Sequence, residues 1–389
     1  VLPRRPNQEI NDSQLTIMNL QKAQNAIEQI LKNEAAADRE DEWLYNFDKA
    51  TGSPTALAGI TVPPCEPIIG NWLKQGDLGF ICGPRGLGKT WLAMLLARRC
   101  AEGVTMGEWH VPNPRRILYV DGEMSMDAIR ERDNALSAAP SDGIFYLQHE
   151  ALFQLTGKVL NLTEPEAQSA LLKKCIRDRI EMLLLDNLSC LFPGVRENDA
   201  DAWNLVLPWL LELRRHRITV IFIAHCGRNG LMRGTSRRED AAFWIINLSE
   251  LKEVAEDQHG AKFVAKFVKN RNATDADCPP MEWRFMRSAG DEKANVTWKI
   301  ITGPQLFRKC IEDGLSTASD IAPEMSISRG QASKYATRAI KEGWLKKKGR
   351  TYVLASEQKS PNILKDKPQL SILSKEKPKL SILAGSNAA

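Results

Sequence analysis

Apolar runs of five or six residues alternate with stretches of helical spacing through the middle of the chain. Leu78–Cys82, Arg116–Val120, Met182–Leu185, Thr219–Ile223 and Phe243–Leu248 have the length of buried strands, and Trp91–Arg99 and Ala200–Arg215 lie between them as helices. Alternation of this kind predicts an α/β domain, a parallel sheet flanked by helices. Lys262–Val268 and Met281–Phe285 read as later, antiparallel strands. Upstream, Leu20, Ala23, Ile27 and Ile30 recur three and four residues apart in a polar segment, which predicts one amphipathic helix. Ala35, Ala36, Ala37 and the acidic residues after them place its end near Trp43. A stripe so narrow packs on something, either the chain's own large domain or a neighbouring subunit. Prolines and glycines from Thr51 to Pro67 make an entry loop.

The pattern changes near Gln305. Helices are expected over Pro304–Asp313, Thr317–Pro323 and Ser328–Gly343, followed by two short strands around a basic glycine turn within Leu345–Leu354. Three small helices and a hairpin predict a winged helix-turn-helix. The domains expected are thus an N-terminal helical segment (1–50), the α/β domain (51–303), the winged helix (304–357) and a coreless tail (358–389). The tail repeats Lys367-Pro368-Gln369-Leu370-Ser371-Ile372-Leu373 as Lys377-Pro378-Lys379-Leu380-Ser381-Ile382-Leu383.

Composition narrows the class only a little. Of 389 residues, 43% are hydrophobic and 26% charged, as in ordinary globular proteins, and no apolar run is long enough for a membrane span. Eight scattered cysteines and five histidines lack metal-ligand spacing and read as reduced, mostly core residues of a cytoplasmic protein with no structural metal. The net charge of +5 is unevenly spread: from Gln305 onward sixteen Lys and Arg face eight Asp and Glu. A basic end suits a polyanion partner, and it suits a solvated tail equally.

The candidate chemistry starts at Gly83-Pro84-Arg85-Gly86-Leu87-Gly88-Lys89-Thr90, a full phosphate-binding loop between an apolar strand and a helix that opens near Trp91. Its glycines let backbone N–H groups curl toward phosphate oxygens, aided by the positive helix N-terminus. Lys89 is expected on the β- and γ-phosphates and Thr90 on Mg²⁺. ATP and Mg²⁺ are therefore the expected cofactors. Hydrolysis needs a further metal-side carboxylate and a water activator. Asp186 ends an apolar strand about a hundred residues downstream and supplies the first. The second is Asp121 or Glu123, both after the strand Ile117–Val120. Glu123 is preferred for its longer side chain, against the alternative of a capping acid for the helix beginning near Ser125.

This order of motifs, with Ala224-His225 ending the fourth strand, resembles the RecA/DnaB superfamily and, within it, plasmid RepA-type hexameric replicative helicases. The resemblance covers about Pro63 to Asn272. It implies a RecA-like sheet, Glu123 as catalytic base, Asp186 as the metal-side acid, and His225 as the residue that senses the γ-phosphate. Arg233-Gly234-Thr235-Ser236 resembles a segment near the central channel, so Arg237 and Arg238 would track DNA phosphates, or form a solvated charged loop. Lys269 and Arg271 resemble a basic finger that offsets transition-state charge in an adjoining subunit. The resemblance thus implies a homo-hexamer that translocates on single-stranded DNA. A DNA-binding regulatory ATPase and an adaptor that recruits replication proteins are the rival expectations.

In the C-terminal module Ser328 is a good N-cap, and Ala332, Ala336, Ala339 and Ile340 make one inward face. Arg329, Gln331, Lys334 and Arg338 then project outward as in a helix entering the major groove, and Lys347 belongs to a wing that grips phosphates. Docking on protein is the other use of such a module. The tail (366–383) resembles short peptides that dock on a replication sliding clamp; a primase is the other partner considered, and no membrane is expected.

Overall fold

The computed structural model describes residues 25, 29, 41–61, 63–137, 140–193, 203–225, 236–251, 259–274, 276–287, 292–325 and 327–355. The chain divides into two units, Val1–Pro64 and Cys65–Ala389. In the first, residues 41–50 (α1) are helical, past the expected helix end near Trp43. Acidic residues do not end a helix. A short helix follows at Pro54–Ala58 (α2), capped by the Ser53 side chain with proline in the first turn.

The second unit starts with a small hairpin, Pro67–Ile69 (β1) and Leu73–Lys74 (β2). The main elements then run in chain order: Leu78–Gly83 (β3), Lys89–Glu102 (α3), Ile117–Asp121 (β4), Met126–Leu136 (α4), Ile144–Gln148 (β5), His149–Thr156 (α5), Pro165–Arg177 (α6), Met182–Asp186 (β6), Leu188–Leu191 (α7), Leu207–Arg215 (α8), Thr219–His225 (β7), Ser236–Ala241 (α9), Trp244–Glu250 (β8), His259–Asn270 (β9), Met281–Arg287 (β10) and Asn295–Ile300 (β11). Nine strands form one sheet in the order β11-β10-β9-β8-β3-β7-β6-β4-β5. From β8 to β5 neighbours are parallel, and β9, β10 and β11 add antiparallel partners at the other edge.

The central strands β3, β4 and β6 are buried throughout, which is why they read as unbroken apolar runs. Their alternate residues face two cores. Ile81, Ile117, Leu184 and Ile221 pack with the buried face of α3, while Phe80, Leu118, Leu183 and Phe222 pack with Leu171 of α6 and Leu213 of α8. Gly79 is required by contact: a Cβ there would stand 2.0 Å from the Trp244 ring of β8. Pattern alone missed β5, a half-buried edge strand with Phe145, Tyr146 and Leu147 only partly covered. His225 therefore ends the fifth parallel strand in the chain, not the fourth. The helix expected over Ala200–Arg215 is the shorter α8, with Pro208 in the first turn, where its missing N–H costs nothing.

After β11 come three helices, Gly303–Glu312 (α10), Ala318–Glu324 (α11) and Arg329–Lys341 (α12), and the antiparallel pair Leu345–Lys348 (β12) and Thr351–Leu354 (β13). They share a small core of Phe307, Ile311, Ile321, Ala332, Ala336, Leu345 and Tyr352. Ser328 caps α12 as expected, its Oγ accepting from Gln331 N at 3.1 Å. Ala332, Ala336 and Ala339 are buried, but Ile340 is 39% exposed and leaves the inward face. Tyr335 takes its place and packs near Phe307. The module is tied to the sheet by Lys266 Nζ, 3.2 Å from Glu324 Oε1, and by Lys309 Nζ, which donates to Glu250 O at 2.5 Å.

Candidate nucleotide site

Parallel strands deliver their C-terminal ends to one edge of the sheet, and the candidate residues gather there. The loop after β3 turns through Gly86 (φ +75°) and Gly88 (φ +111°) into α3. At Gly88 the backbone conformation favours glycine, and an added Cβ would meet Ala261 Cβ and Phe263 at 2.7 Å. Only a bare backbone fits this curl against β9, and a glycine turn into a helix N-terminus is the kind of backbone that can cradle an anion. Gly83 is buried, Pro84, Arg85 and Gly86 are exposed, and Leu87 packs on the core. Trp91, on the first turn of α3, packs against Phe285 and lies under the Arg132 guanidinium.

Lys89 is 6% exposed. Its Nζ donates to Gly83 O at 3.0 Å and Pro84 O at 2.7 Å, and stands 3.1 Å from His225 Nδ1. The contact follows from register, because Gly83 pairs with His225 across β3 and β7. The structure thus brings together the lysine expected on the phosphates and the histidine expected to sense them.

Asp186, at the end of β6, is buried; its Oδ2 accepts from Tyr119 Oη at 2.6 Å, and the Thr90 hydroxyl also bonds it. Burial raises the Asp186 pKa, opposed by these bonds and the nearby Lys89 charge. The two residues expected on Mg²⁺, Thr90 and Asp186, are therefore in contact. A glycine-built anion cradle, a lysine held over it and a half-buried hydroxyl bonded to a buried carboxylate fit Mg-ATP. Bound there, Mg-ATP would supply the cation and the γ-phosphoryl group to be cut.

Asp121 and Glu123 differ in their hydrogen bonds. Asp121 pairs in register with Asp186, and its Oδ1 accepts from the backbone N–H groups of Glu123, at 2.9 Å, and Met124, at 2.5 Å. Burial pushes its pKa up to about 6. Asp121 organises the turn. Glu123 is exposed and its Oε2 accepts from the Asn187 side-chain amide. Nor does Glu123 cap α4, since Ser125 Oγ does so by accepting from Ala128 N at 3.3 Å.

Lys269 and Arg271 stand elsewhere. Because β9 runs antiparallel to β8, its end meets Trp244 and the start of β3, the sheet edge opposite the phosphate loop. The six residues of β3 put roughly 17 Å between the two edges. Arg271 is exposed, donates to Asp240 O at 2.8 Å, and borders an apolar cavity of about 460 Å³ lined by Leu207, Leu210 and Phe243. Lys269 donates to Glu239 O, so both cations hold carbonyls of α9. Arg237 and Arg238 belong to the backbone of α9, but their side chains fall outside the described residues. Arg329, Gln331, Lys334, Arg338 and Lys347 are exposed, and Arg338 pairs with Glu342 at 2.8 Å. The tail expectations lie wholly outside the described residues.

Sequence reasoning missed Tyr119 and Asn187. A trace of Tyr119 was legible, since it shares a strand face with Asp121 two residues on. Asn187 carried no signal beyond its place after Asp186.

Sheet order and site together define a P-loop nucleotide-binding site on an α/β sheet: the phosphate loop follows the central strand β3, and the carboxylate strand β6 lies one strand away across β7. A family model described as an AAA domain matches residues 49–230. Among solved structures, the chain is similar to the flagellar accessory protein FlaH from Methanocaldococcus jannaschii, at 14% identity over 57% of this chain and 89% of that one, with a TM-score of 0.39. No curated protein matches. Among the described residues no helix is long and apolar enough to cross a membrane.

Proposed function

We propose that this chain is an ATP-driven DNA helicase that works as a ring of identical subunits, six by its resemblance to RepA-type enzymes, in the cytoplasmic replication of a plasmid or mobile element. Arg271 is the observation that carries this reading. It is exposed on the sheet edge away from its own phosphate loop, so a nucleotide it serves belongs to another copy. Within one site Lys89 holds the phosphates, Thr90 and Asp186 the cation, and Glu123 orients the attacking water. Arg271, with Lys269 beside it, offsets transition-state charge from the adjoining subunit. The Lys89–His225 contact supports a path by which phosphate occupancy reaches the segment carrying Arg237 and Arg238, and so the single-stranded DNA. The tail (366–383) is the proposed contact for a sliding clamp or primase.

A second reading has its own observation. The exposed basic face of α12 and the lysines of β12 fit a winged helix that binds duplex DNA, as a regulatory or adaptor ATPase would need. Strand displacement on a forked duplex separates the two, with Lys89→Ala as the inactive control. The helicase reading expects ATP-dependent unwinding and strong stimulation of ATPase by single-stranded DNA. An assembled, ATP-hydrolysing oligomer that displaces no strand overturns it in favour of the regulator.

A further inference from the structure

Asn187 is 3% exposed, follows Asp186 directly, and is the N-cap of the four-residue helix α7. Its Oδ1 accepts from Cys190 N at 3.1 Å. That bond fixes the amide's orientation, because a flipped amide would set two N–H donors face to face. The nitrogen is then left pointing away from the cap, and it donates to Glu123 Oε2. Glu123 is anchored from the other side as well, through its backbone N–H on Asp121 Oδ1 at 2.9 Å. A buried side chain just after β6 therefore holds the carboxylate of an exposed residue just after β4.

We infer that Asn187 is a positioning residue for ATP hydrolysis, holding the Glu123 carboxylate beside Asp186 where a water attacking the γ-phosphate must be oriented. The inference rests on Glu123 being the base. A glutamate on an exposed turn has three rotatable bonds, and aiming it at one water requires that freedom to be removed before the reaction. The logic is that of a base oriented by a third group. A neutral amide suits the task, since it fixes one carboxylate oxygen without adding a charge next to the metal-side acid.

The test is steady-state Mg-ATP hydrolysis by the full chain, with and without single-stranded DNA. Asn187→Ser keeps a good N-cap and loses the amide, whereas Asn187→Ala loses both. Both variants are expected to lower kcat roughly 10- to 100-fold with KM for ATP changed less than about 2-fold, and only Asn187→Ala to lower Tm as well. If Asn187→Ser fails to fold, Asn187→Thr, also a good cap with no amide and no charge, tests the same loss. In an E123Q background the Asn187 substitution should cost nothing further. The inference is overturned by wild-type kcat in the cap-preserving variants, or by their full effect persisting in E123Q. Full activity of E123Q alone would instead remove the base reading beneath it.

Discussion

Lys89 Nζ stands 3.1 Å from His225 Nδ1 across two central strands, while also donating to the Gly83 and Pro84 carbonyls. The amine is held over the cradle by bonds that it must exchange for phosphate oxygens when nucleotide enters. On the proposed reading His225 would then lose or keep this neighbour according to occupancy, as a sensor of the γ-phosphate would.

Lys89→Ala removes the only cation the fold aims into the loop from α3. Hydrolysis should fall by roughly 100-fold or more, with a wild-type melting curve in the absence of nucleotide. Turnover near that of the unaltered chain would place the phosphate site elsewhere.

The shared-site reading is tested by mixing two inactive variants. Arg271→Ala should retain nucleotide binding and lose most of its turnover, and a mixture with Lys89→Ala subunits should recover part of it. Absence of recovery at every ratio, with mixed oligomers demonstrated by mass, counts against a finger from the adjoining copy.

Tyr119→Phe deletes one bond to a buried carboxylate and leaves the ring in place. The expected loss is about 1–3 kcal/mol of stability, read as a lower Tm. Addition of Mg-ATP should reduce the difference, since a cation then satisfies Asp186.

Asp77 gives a pH signature away from the nucleotide. Burial pushes its pKa up to about 6 from 3.8, although Lys74 N and Asn272 Nδ2 donate to it. The folded state then binds a proton more tightly than the unfolded chain, so this group makes stability fall as pH rises from about 4 to 6. Asp77→Asn should accordingly be more stable than wild type above pH 7, by at most about 3 kcal/mol, and equal to it below about pH 4. Thermal unfolding at pH 4 and 8 reads the difference; an asparagine variant less stable at pH 8 contradicts the burial cost.

Arg329→Ala and Lys334→Ala bear on the exposed face of α12. Each should weaken duplex binding and reduce the salt dependence of the affinity by about one counterion, while basal ATPase stays unchanged. A salt slope unaffected by both substitutions would assign that face to protein.

The phosphate loop, Asp186 and the parallel strands were legible in the sequence because their causes are local. A buried parallel strand must be apolar throughout, and a phosphate curl must have glycines at fixed spacing. The capped helix at Ser328 was legible for the same reason. Strand β5 was not, since an edge position relaxes the apolar demand. Residues 41–50 are helical past the end expected near Trp43, because charge alone does not break a helix. Between Asp121 and Glu123 the sequence offered two acids two residues apart. Only the fold, by setting backbone N–H groups on one and the Asn187 amide on the other, gave them different work. The same holds for Arg271: its basic character is local, but the sheet edge it occupies depends on the reversal of β9. What the sequence determined, then, was the chemistry available at each strand end, and what tertiary structure decided was which strand ends meet, because register and strand direction arise from pairings between separate segments, such as Gly83 with His225 and Asp121 with Asp186.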